Sequence, residues 1–133
     1  MRDLAGMFRA LADETRLKMM GLLLRRRELC VCDFVEVLGV TQSKASRHLR
    51  YLLHAGLVED RRAGLWVHYR VARELDPDAR VVVRGLRAML GGERLRGLQA
   101  NLERWLRQKA GLAGGTCSAP RPRQSGGRKG AAR

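Results

Sequence analysis

The chain has 133 residues, of which 45% are hydrophobic and only 5% aromatic, enough for one domain with a modest core. Its 27 Lys and Arg residues outnumber 13 acidic residues and give a formal net charge of +14. Residues 1–110 hold 22 of the basic and all 13 of the acidic residues, net +9, so the basic character is not confined to the tail. This charge favours nucleic acid as the partner, with an anionic membrane surface in second place.

Cellular location is predicted from apolar runs and cysteine usage. No apolar run is long enough to span a bilayer, since the best one, residues 17–24, is short and contains Lys18. The first residues lack the basic start, apolar stretch and cleavage site of a signal peptide. Three cysteines, two of them one residue apart, suit reduced thiols better than a disulfide framework. We therefore expect a cytoplasmic protein with no membrane partner.

Two helices are predicted at the start of the chain. In residues 3–12, apolar side chains such as Leu4 and Phe8 recur at the spacing of one helical face. Asp13 is the expected N-cap of a second helix that extends to about Arg26. Arginines at the end of that helix complement the negative pole of the helix dipole.

Two shorter helices follow, with the features of a helix-turn-helix. Asp33 and Glu36 fit a capping box in which Asp33 is the N-cap, and Gly39 ends this helix. Thr41 is the expected N-cap of the next helix, over residues 42 to about 54. The short turn between the two helices contains a glycine, as helix-turn-helix turns often do.

A β-hairpin and a long helix are predicted next. Residues 57–60 and 66–71 fit two strands joined by residues 61–65, because side chains alternate between apolar and polar in the second segment. Asp76 followed by Pro77 is a strong helix start, and the helical pattern continues to about residue 109. Two consecutive glycines, at positions 91 and 92, mark a point where this helix can hinge.

These elements together predict a mainly α fold with a small β-hairpin, the winged helix-turn-helix. The DNA-binding and dimerisation domain is expected over residues 1–110. The composition of residues 111–133, rich in Gly, Ser, Pro and Arg, predicts a disordered basic tail.

The helix over residues 42–54 has one apolar face and one face of amide, hydroxyl and guanidinium groups without any acid. Such groups bond base edges and phosphates in a major groove. A solvated helix face is the alternative interpretation, but the preceding short helix, the basic hairpin and the net charge favour DNA. His48 fits either a phosphate contact or the edge of the core. The predicted DNA-binding residues, two of them arginines expected at the wing tip, are Gln42, Ser43, Lys44, Ser46, Arg47, His48, Arg50, Arg61 and Arg62.

Four segments resemble the ArsR/SmtB family of metal-responsive winged-helix repressors: Phe8–Leu17, Glu28–Asp33, Ser43–Leu49 and Gly64–Arg70. The resemblance extends in consecutive order over about residues 4–75. It implies a homodimer built on the first and last helices, which binds an imperfect operator palindrome and leaves it when inducer binds. The predicted DNA-binding residues coincide with that family's recognition helix.

A homodimer is also expected from geometry. One recognition helix reads only a few base pairs, and a two-fold dimer places two half-sites about 34 Å apart. The apolar stripe over residues 82–106 is expected to lack a partner within so small a domain, with folding back onto its own core as the alternative. The predicted interface residues are Leu4, Phe8, Val82, Leu86 and Leu90.

Cys30 and Cys32 are the candidate sensing residues. Thiols just before a helix and near three arginines should ionise more readily than free cysteine, and thiolates select soft ions. Residues i and i+2 of a helix point about 200° apart, so the two thiols hold one ion only in a pre-helical turn or after that turn unwinds. Two small buried apolar side chains are the alternative interpretation.

The inducer is predicted from the resemblance. The run ELCVCD is similar to the arsenite/antimonite branch and, to a lesser degree, to the cadmium/lead branch, which typically adds N-terminal cysteines. The zinc branch uses His and acidic residues of the last helix, and residues 77–110 contain no His. Arsenite or antimonite is therefore the expected inducer, bound by Cys30, Cys32 and, as third ligand, Cys117.

The third ligand departs from the family pattern. The best-known arsenite sensors carry a third cysteine three residues after the second, where this chain has Val35. Cys117 is the only other thiol, and it could close the site from its own or the partner subunit. Solvent, a small cellular thiol, or a tail cysteine with no role are the alternatives.

Other functions fit parts of the sequence. A repressor of the same fold could respond to oxidation or persulfides by pairing Cys32 or Cys30 with Cys117. A non-specific nucleic-acid-binding protein would use the charge alone. An enzyme with a catalytic cofactor is not expected, because there is no Gly-rich phosphate loop and the three histidines fit structural or DNA-contact roles.

Overall fold

A computed structural model describes residues 1–111 and confirms the mainly α fold with a small sheet. Within these residues the elements are α1 (Arg2–Leu11), α2 (Glu14–Arg25), β1 (Leu29–Cys30), α3 (Val31–Leu38), α4 (Gln42–His54), β2 (Val58–Ala63), β3 (Trp66–Val71), α5 (Pro77–Leu90) and α6 (Arg96–Ala110). The predicted basic tail lies outside the described residues from position 112 on. No helix in residues 1–111 has the length and apolar character needed to cross a membrane.

Three helices begin at N-caps that the sequence predicted. The Asp13 carboxylate accepts a hydrogen bond from the backbone N–H of residue 16 at 2.9 Å. Thr41 Oγ1 accepts from the N–H of residue 44 at 3.2 Å, and Asp76 Oδ1 accepts from the N–H of residue 79 at 2.8 Å. Each side chain satisfies a backbone donor that has no partner inside its helix, which fixes where α2, α4 and α5 begin.

The predicted start of α3 is wrong by three residues. Cys30, in extended conformation, occupies the N-cap position, and Asp33 is the third residue of the helix. Asp33 Oδ2 accepts a hydrogen bond from the N–H of Cys30 at 2.7 Å, so this carboxylate closes the helix start from inside. The helix begins early because Leu29 and Cys30 pair with β3 and bring the chain to the sheet edge in extended form.

The sheet has the strand order β1-β3-β2, with both pairs antiparallel. Strand β1 was not predicted, because two residues are too short to show alternation. Strand β2 runs three residues further than expected, so Arg61 and Arg62 lie on the strand opposite His68 and Val67, not at the tip of the wing. The tip is formed by Gly64 and Leu65, where Gly64 has a φ of +63°.

The core is formed by every helix and by the inner face of the sheet. Leu86 (3% exposed) and Leu90 (7% exposed) of α5 belong to it, as does Leu102 of α6. The expectation that this stripe has no partner within the chain is therefore wrong. The chain turns between α5 and α6 at Gly91 and Gly92, and α6 packs along α3.

Candidate functional site

The outer side of α4 carries the polar side chains that the sequence singled out. The apolar side chains at positions 45, 49 and 52 are fully buried and fix the orientation of the helix. Ser46 and His48 are half-buried, and the remaining polar members of the set are exposed. We call this surface the reading face; its members are Gln42, Ser43, Lys44, Ser46, Arg47 and Arg50. It presents five hydrogen-bonding groups or cations to solvent without an acidic neighbour on the helix.

Arg16 on α2 joins α4 to the end of α1. Its Nε donates to the carbonyl of Ala10 at 2.6 Å and its Nη2 to the carbonyl of Arg9 at 3.4 Å. Its Nη1 lies 3.1 Å from Nδ1 of His48, and its guanidinium lies over the Tyr51 ring, 4.2 Å from the centroid. The sequence analysis missed this residue, because a single Arg at the start of a helix carries no pattern.

The contact with Arg16 decides the state of His48. A guanidinium only donates, so Nδ1 of His48 accepts and the proton of the neutral ring lies on Nε2. Burial lowers the pKa of His48, and the neighbouring cations Arg16, Arg47 and Lys44 lower it further, against the opposing effect of Asp13. His48 is thus a half-buried neutral ring with one N–H donor left.

The two arginines expected at the wing tip differ in their contacts. Arg61 Nη2 lies 2.6 Å from Oε1 of Glu28, and its Nε donates to Oε2 at 3.2 Å, so the pair is bidentate. This hydrogen bonding lowers the pKa of Glu28, and His68 Nδ1 lies 3.7 Å from the same carboxylate. Arg62 is exposed on the same strand. The pair with Glu28 leaves the Nη1 donors of Arg61 uncommitted.

Residues 30–33, which we call the thiol turn, are mostly buried. Cys30 is a free thiol with 2% of its surface exposed, and burial raises its pKa. The expectation that this thiol ionises more readily than free cysteine is therefore wrong. Cys32 is half-buried and disulfide-bonded, with Sγ 3.9 Å from Oδ1 of Asp33. Cys117, the expected third ligand, lies outside the described residues.

Asp33 anchors the thiol turn to α6. Its carboxylate is 2% exposed, and Oδ1 accepts from Nε1 of Trp105 at 2.8 Å and from Nζ of Lys109 at 2.9 Å. Its Oδ2 accepts the backbone N–H of Cys30. The sequence analysis missed this cluster, although Lys109 follows Leu102 and Trp105 on the apolar stripe of α6, an unusual place for a cation.

The donor chemistry of the thiol turn fits a soft ion, while its folded geometry does not yet form a site. Among residues 1–111, no group of three or more His, Cys, Asp or Glu side chains could hold a metal ion. Cys30 is the N-cap, in extended conformation, and Cys32 is the second residue of α3. Because Cys32 is disulfide-bonded, both sulfurs are available to one ion only in reduced protein.

The thiol turn is connected to the reading face by two routes. Cys30 pairs with His68 of β3, the strand that also pairs with β2 of the wing. Along the chain, α3 leads through Gly39, with a φ of +67°, directly into the recognition helix. A change at the start of α3 therefore acts on both elements that would face DNA.

Comparison with known proteins places the fold among bacterial regulators. Residues 13–60 match the family model described as bacterial regulatory protein, arsR family. The arsenic resistance transcriptional regulator ArsR1 of Pseudomonas putida is 43% identical over 79 residues, 59% of this chain and 62% of that protein. The arsenical resistance operon repressor of Escherichia coli is 52% identical over 66 residues, 50% of this chain and 56% of the relative. A cadmium resistance regulatory protein, the CadC homolog of Staphylococcus aureus, is 39% identical over 72 residues, 54% of this chain and 60% of the relative.

The matches to curated relatives span about three fifths of those proteins' own length. Among solved structures, a homodimeric winged helix-turn-helix domain of Mycobacterium bovis, a possible ArsR-family regulator, superposes with a TM-score of 0.56 at 30% identity. That match covers 66% of this chain and 78% of the other. The antimony-specific transcriptional repressor AntR gives a TM-score of 0.51 at 30% identity, over 62% of this chain and 73% of the other. All the relatives named here are regulators, in agreement with the prediction that the chain is not an enzyme.

Proposed function

Because the chain belongs to the arsR family of bacterial regulatory proteins, we propose that it is a homodimeric transcriptional repressor induced by trivalent arsenic or antimony. It binds an operator palindrome and leaves it when the inducer binds cysteine thiolates. The single observation that carries this proposal is the position of two cysteines at the start of α3, the helix directly before the recognition helix, with Cys30 paired to β3 of the wing.

The DNA-binding part of the proposal is supported by the reading face. Guanidinium, amide and hydroxyl groups project from α4, while its apolar side is fixed in the core. Arg62 on the wing adds an exposed cation beside it. Such side chains form the bidentate base contacts and phosphate contacts of a helix in the major groove.

The homodimer is supported by apolar side chains left exposed on two helices. Phe8 of α1 is 57% exposed, and Val81 and Met89 of α5 are 66% and 59% exposed. Leu4 and Val82, two of the predicted interface residues, lie on the same two helices and are half-buried. A second copy of the chain would cover these side chains and set two recognition helices about one DNA turn apart.

The inducer part is supported by the donor chemistry and by the named relatives. Thiolates are soft ligands and prefer thiophilic ions over Mg²⁺ or Ca²⁺. In reduced protein, Cys30 and Cys32 would hold the ion once the first turn of α3 unwinds, with Cys117 as the third ligand. That unwinding displaces β1 from the wing strand and moves the start of the helix that precedes α4, which favours release of DNA.

A second candidate function is a repressor of the same fold that responds to thiol oxidation. The observation that favours it is the disulfide at Cys32. Here oxidation rather than ion binding would change the thiol turn, and a reductant would restore DNA binding. The two functions differ in the redox state in which DNA is released.

The test is release of a labelled operator, taken from upstream of the gene itself, under fully reducing conditions. Arsenite, antimonite, cadmium, lead and zinc are titrated against the wild type and the variants Cys30→Ser, Cys32→Ser and Cys117→Ser. We expect arsenite and antimonite to release the wild type but not the first two variants. Retained binding by Cys117→Ser in arsenite would identify a three-thiolate site.

Three other outcomes would contradict the proposal. Release by cadmium or lead alone would change the inducer to a divalent soft ion. Release only by oxidant, reversed by reductant, would establish the second candidate. Equal affinity for operator and scrambled DNA, with a steep salt dependence, would reduce the protein to a non-specific nucleic-acid binder.

A further inference from the structure

We propose that Trp105 and Lys109 of α6 are part of the thiol site, as positioning residues that hold its first helical turn closed. The inference rests on the proposed function for its consequence, the sensitivity to inducer. Its structural basis is independent of any inducer, because it concerns the contacts of Asp33.

The first step is the burial of the cluster. Asp33 is 2% exposed and Lys109 9% exposed, so their ion pair is shielded from water. The Asp33 carboxylate has three donors, two from α6 and one from the backbone of Cys30. Since a buried charge without partners is strongly unfavourable, the carboxylate resists leaving this position.

The second step is that Asp33 cannot move independently of the thiols. As the third residue of α3 it lies directly after Cys32, and it accepts the N–H of Cys30. If the first turn of α3 unwinds, both the Cys30 bond and the direction of the Asp33 side chain change. The contacts with α6 therefore oppose unwinding of this turn.

The third step is the position of α6 in the chain, outside the segment that matches the family model. Trp105 and Lys109 are four residues apart and share one helix face, which packs on α3. Both lie outside residues 13–60, the segment that matches the family model. The polar contacts of α6 thus end on the carboxylate directly after Cys32, in the helix that precedes α4.

The consequence is a population shift. A ligand that binds only the unwound turn has an apparent affinity reduced by the fraction of molecules in that form. Donors on α6 lower that fraction, so they set the inducer concentration at which DNA is released. Removing one donor should raise the unwound fraction and make the protein more sensitive.

The experiment uses the full chain under reducing conditions, with hydrogen–deuterium exchange of the peptide covering residues 29–38. Trp105→Phe removes only the indole N–H and keeps the ring, while Lys109→Met removes the cation. Glu103→Gln is the matched control, because Glu103 lies on the exposed side of α6 and contacts Arg26 at 3.4 Å. We expect roughly tenfold faster exchange in this peptide for the first two variants, with peptides of α2 unchanged, and wild-type exchange for the control.

The second readout is the arsenite concentration that releases half of the operator, which should fall by a similar factor in Trp105→Phe. If α6 had a purely structural role, these substitutions would speed exchange in all peptides and would not lower the arsenite concentration for half release. Unchanged exchange of residues 29–38 in folded Trp105→Phe and Lys109→Met would overturn the inference. Because exchange is measured without arsenite or DNA, faster exchange with no arsenite response would leave the inference standing and refute the proposed function.

Discussion

The reading face and the thiol turn are neighbours in sequence and differ in almost every physical respect. Arg47 and Arg50 of the reading face are exposed and need no rearrangement to meet a polyanion. Cys30 and Asp33 of the thiol turn are each 2% exposed, and the backbone N–H of Cys30 donates a hydrogen bond to the Asp33 carboxylate. The side chains of one region are free to meet a ligand, whereas those of the other are held by buried hydrogen bonds.

This difference separates affinity from regulation. If the proposed function holds, the exposed cations set how tightly the protein binds DNA, and we expect the removal of any one of them to leave the fold intact. On the same proposal, the buried turn sets how easily DNA binding is lost, because its opening would break an ion pair and sheet pairing. Substitutions in the two regions should therefore give different kinds of phenotype, and the following variants test that expectation in order of decreasing effect.

The largest effect is expected from Asp33→Asn. This change leaves the Lys109 ammonium in its buried position without a counter-ion, which costs about 3–5 kcal/mol of the free energy of unfolding. Urea unfolding at pH 7, followed by circular dichroism, measures the loss. The double variant Asp33→Asn with Lys109→Met should be less destabilised than the sum of the two single variants.

Glu103→Gln is the control for that measurement, because it makes the same carboxylate-to-amide change at an exposed site and should shift stability by less than about 0.5 kcal/mol. Strict additivity in the double-variant comparison would show that Asp33 and Lys109 do not act as a pair. The Asp33–Lys109 ion pair would then not be what holds the thiol turn closed.

An intermediate effect is expected from Arg47→Ala on the reading face. The lost base or phosphate contact should weaken operator binding by about 1–3 kcal/mol, with the free energy of unfolding unchanged. Fluorescence anisotropy with a labelled operator measures the affinity. Arg84→Ala, which removes an exposed arginine from α5, is the matched control for loss of charge alone. Equal effects of the two variants would mean that the reading face contributes charge and no specific contact.

The sequence was most informative where local physical rules act alone. N-caps at Asp13, Thr41 and Asp76 were predicted from residue type and were confirmed by hydrogen bonds within three residues. The alternation of β3 likewise identified the wing. These features depend on nearest neighbours along the chain, so a single sequence contains all the information they need.

The sequence failed where contacts join distant residues. The N-cap of α3 is Cys30 rather than Asp33 because β3, about 40 residues later, pairs with Leu29 and Cys30. The pKa of Cys30 was expected to fall but is raised, since burial by the rest of the fold outweighs the backbone hydrogen bond from Cys32 and the charge of Lys109. Likewise, the sequence does not show that Asp33 meets α6, although a lysine on an apolar stripe could have been noticed as needing a buried acid.

The smallest effect is expected from Arg16→Met, which tests whether the reading face is positioned as well as exposed. Loss of the hydrogen bonds to the end of α1 and to His48 should weaken operator binding by about 1 kcal/mol. Arg25→Met, at the exposed end of the same helix, controls for the loss of one charge. An affinity no weaker than that of the control would show that Arg16 does not position α4.

The pH dependence sharpens the same test. Burial and neighbouring cations keep the pKa of His48 below its ordinary value of 6.5, so the folded protein favours the neutral ring. The stability from this shift is present above pH 6.5 and is lost as the pH falls below it, because the unfolded chain takes up the proton first. Operator affinity of the wild type should therefore stay level between pH 8 and about pH 6.5.

In Arg16→Met the pKa of His48 should rise, and binding should strengthen as the pH approaches 6, because a charged ring beside phosphate adds a cation. A flat profile in the variant would place His48 away from the phosphates and return it to the edge of the core.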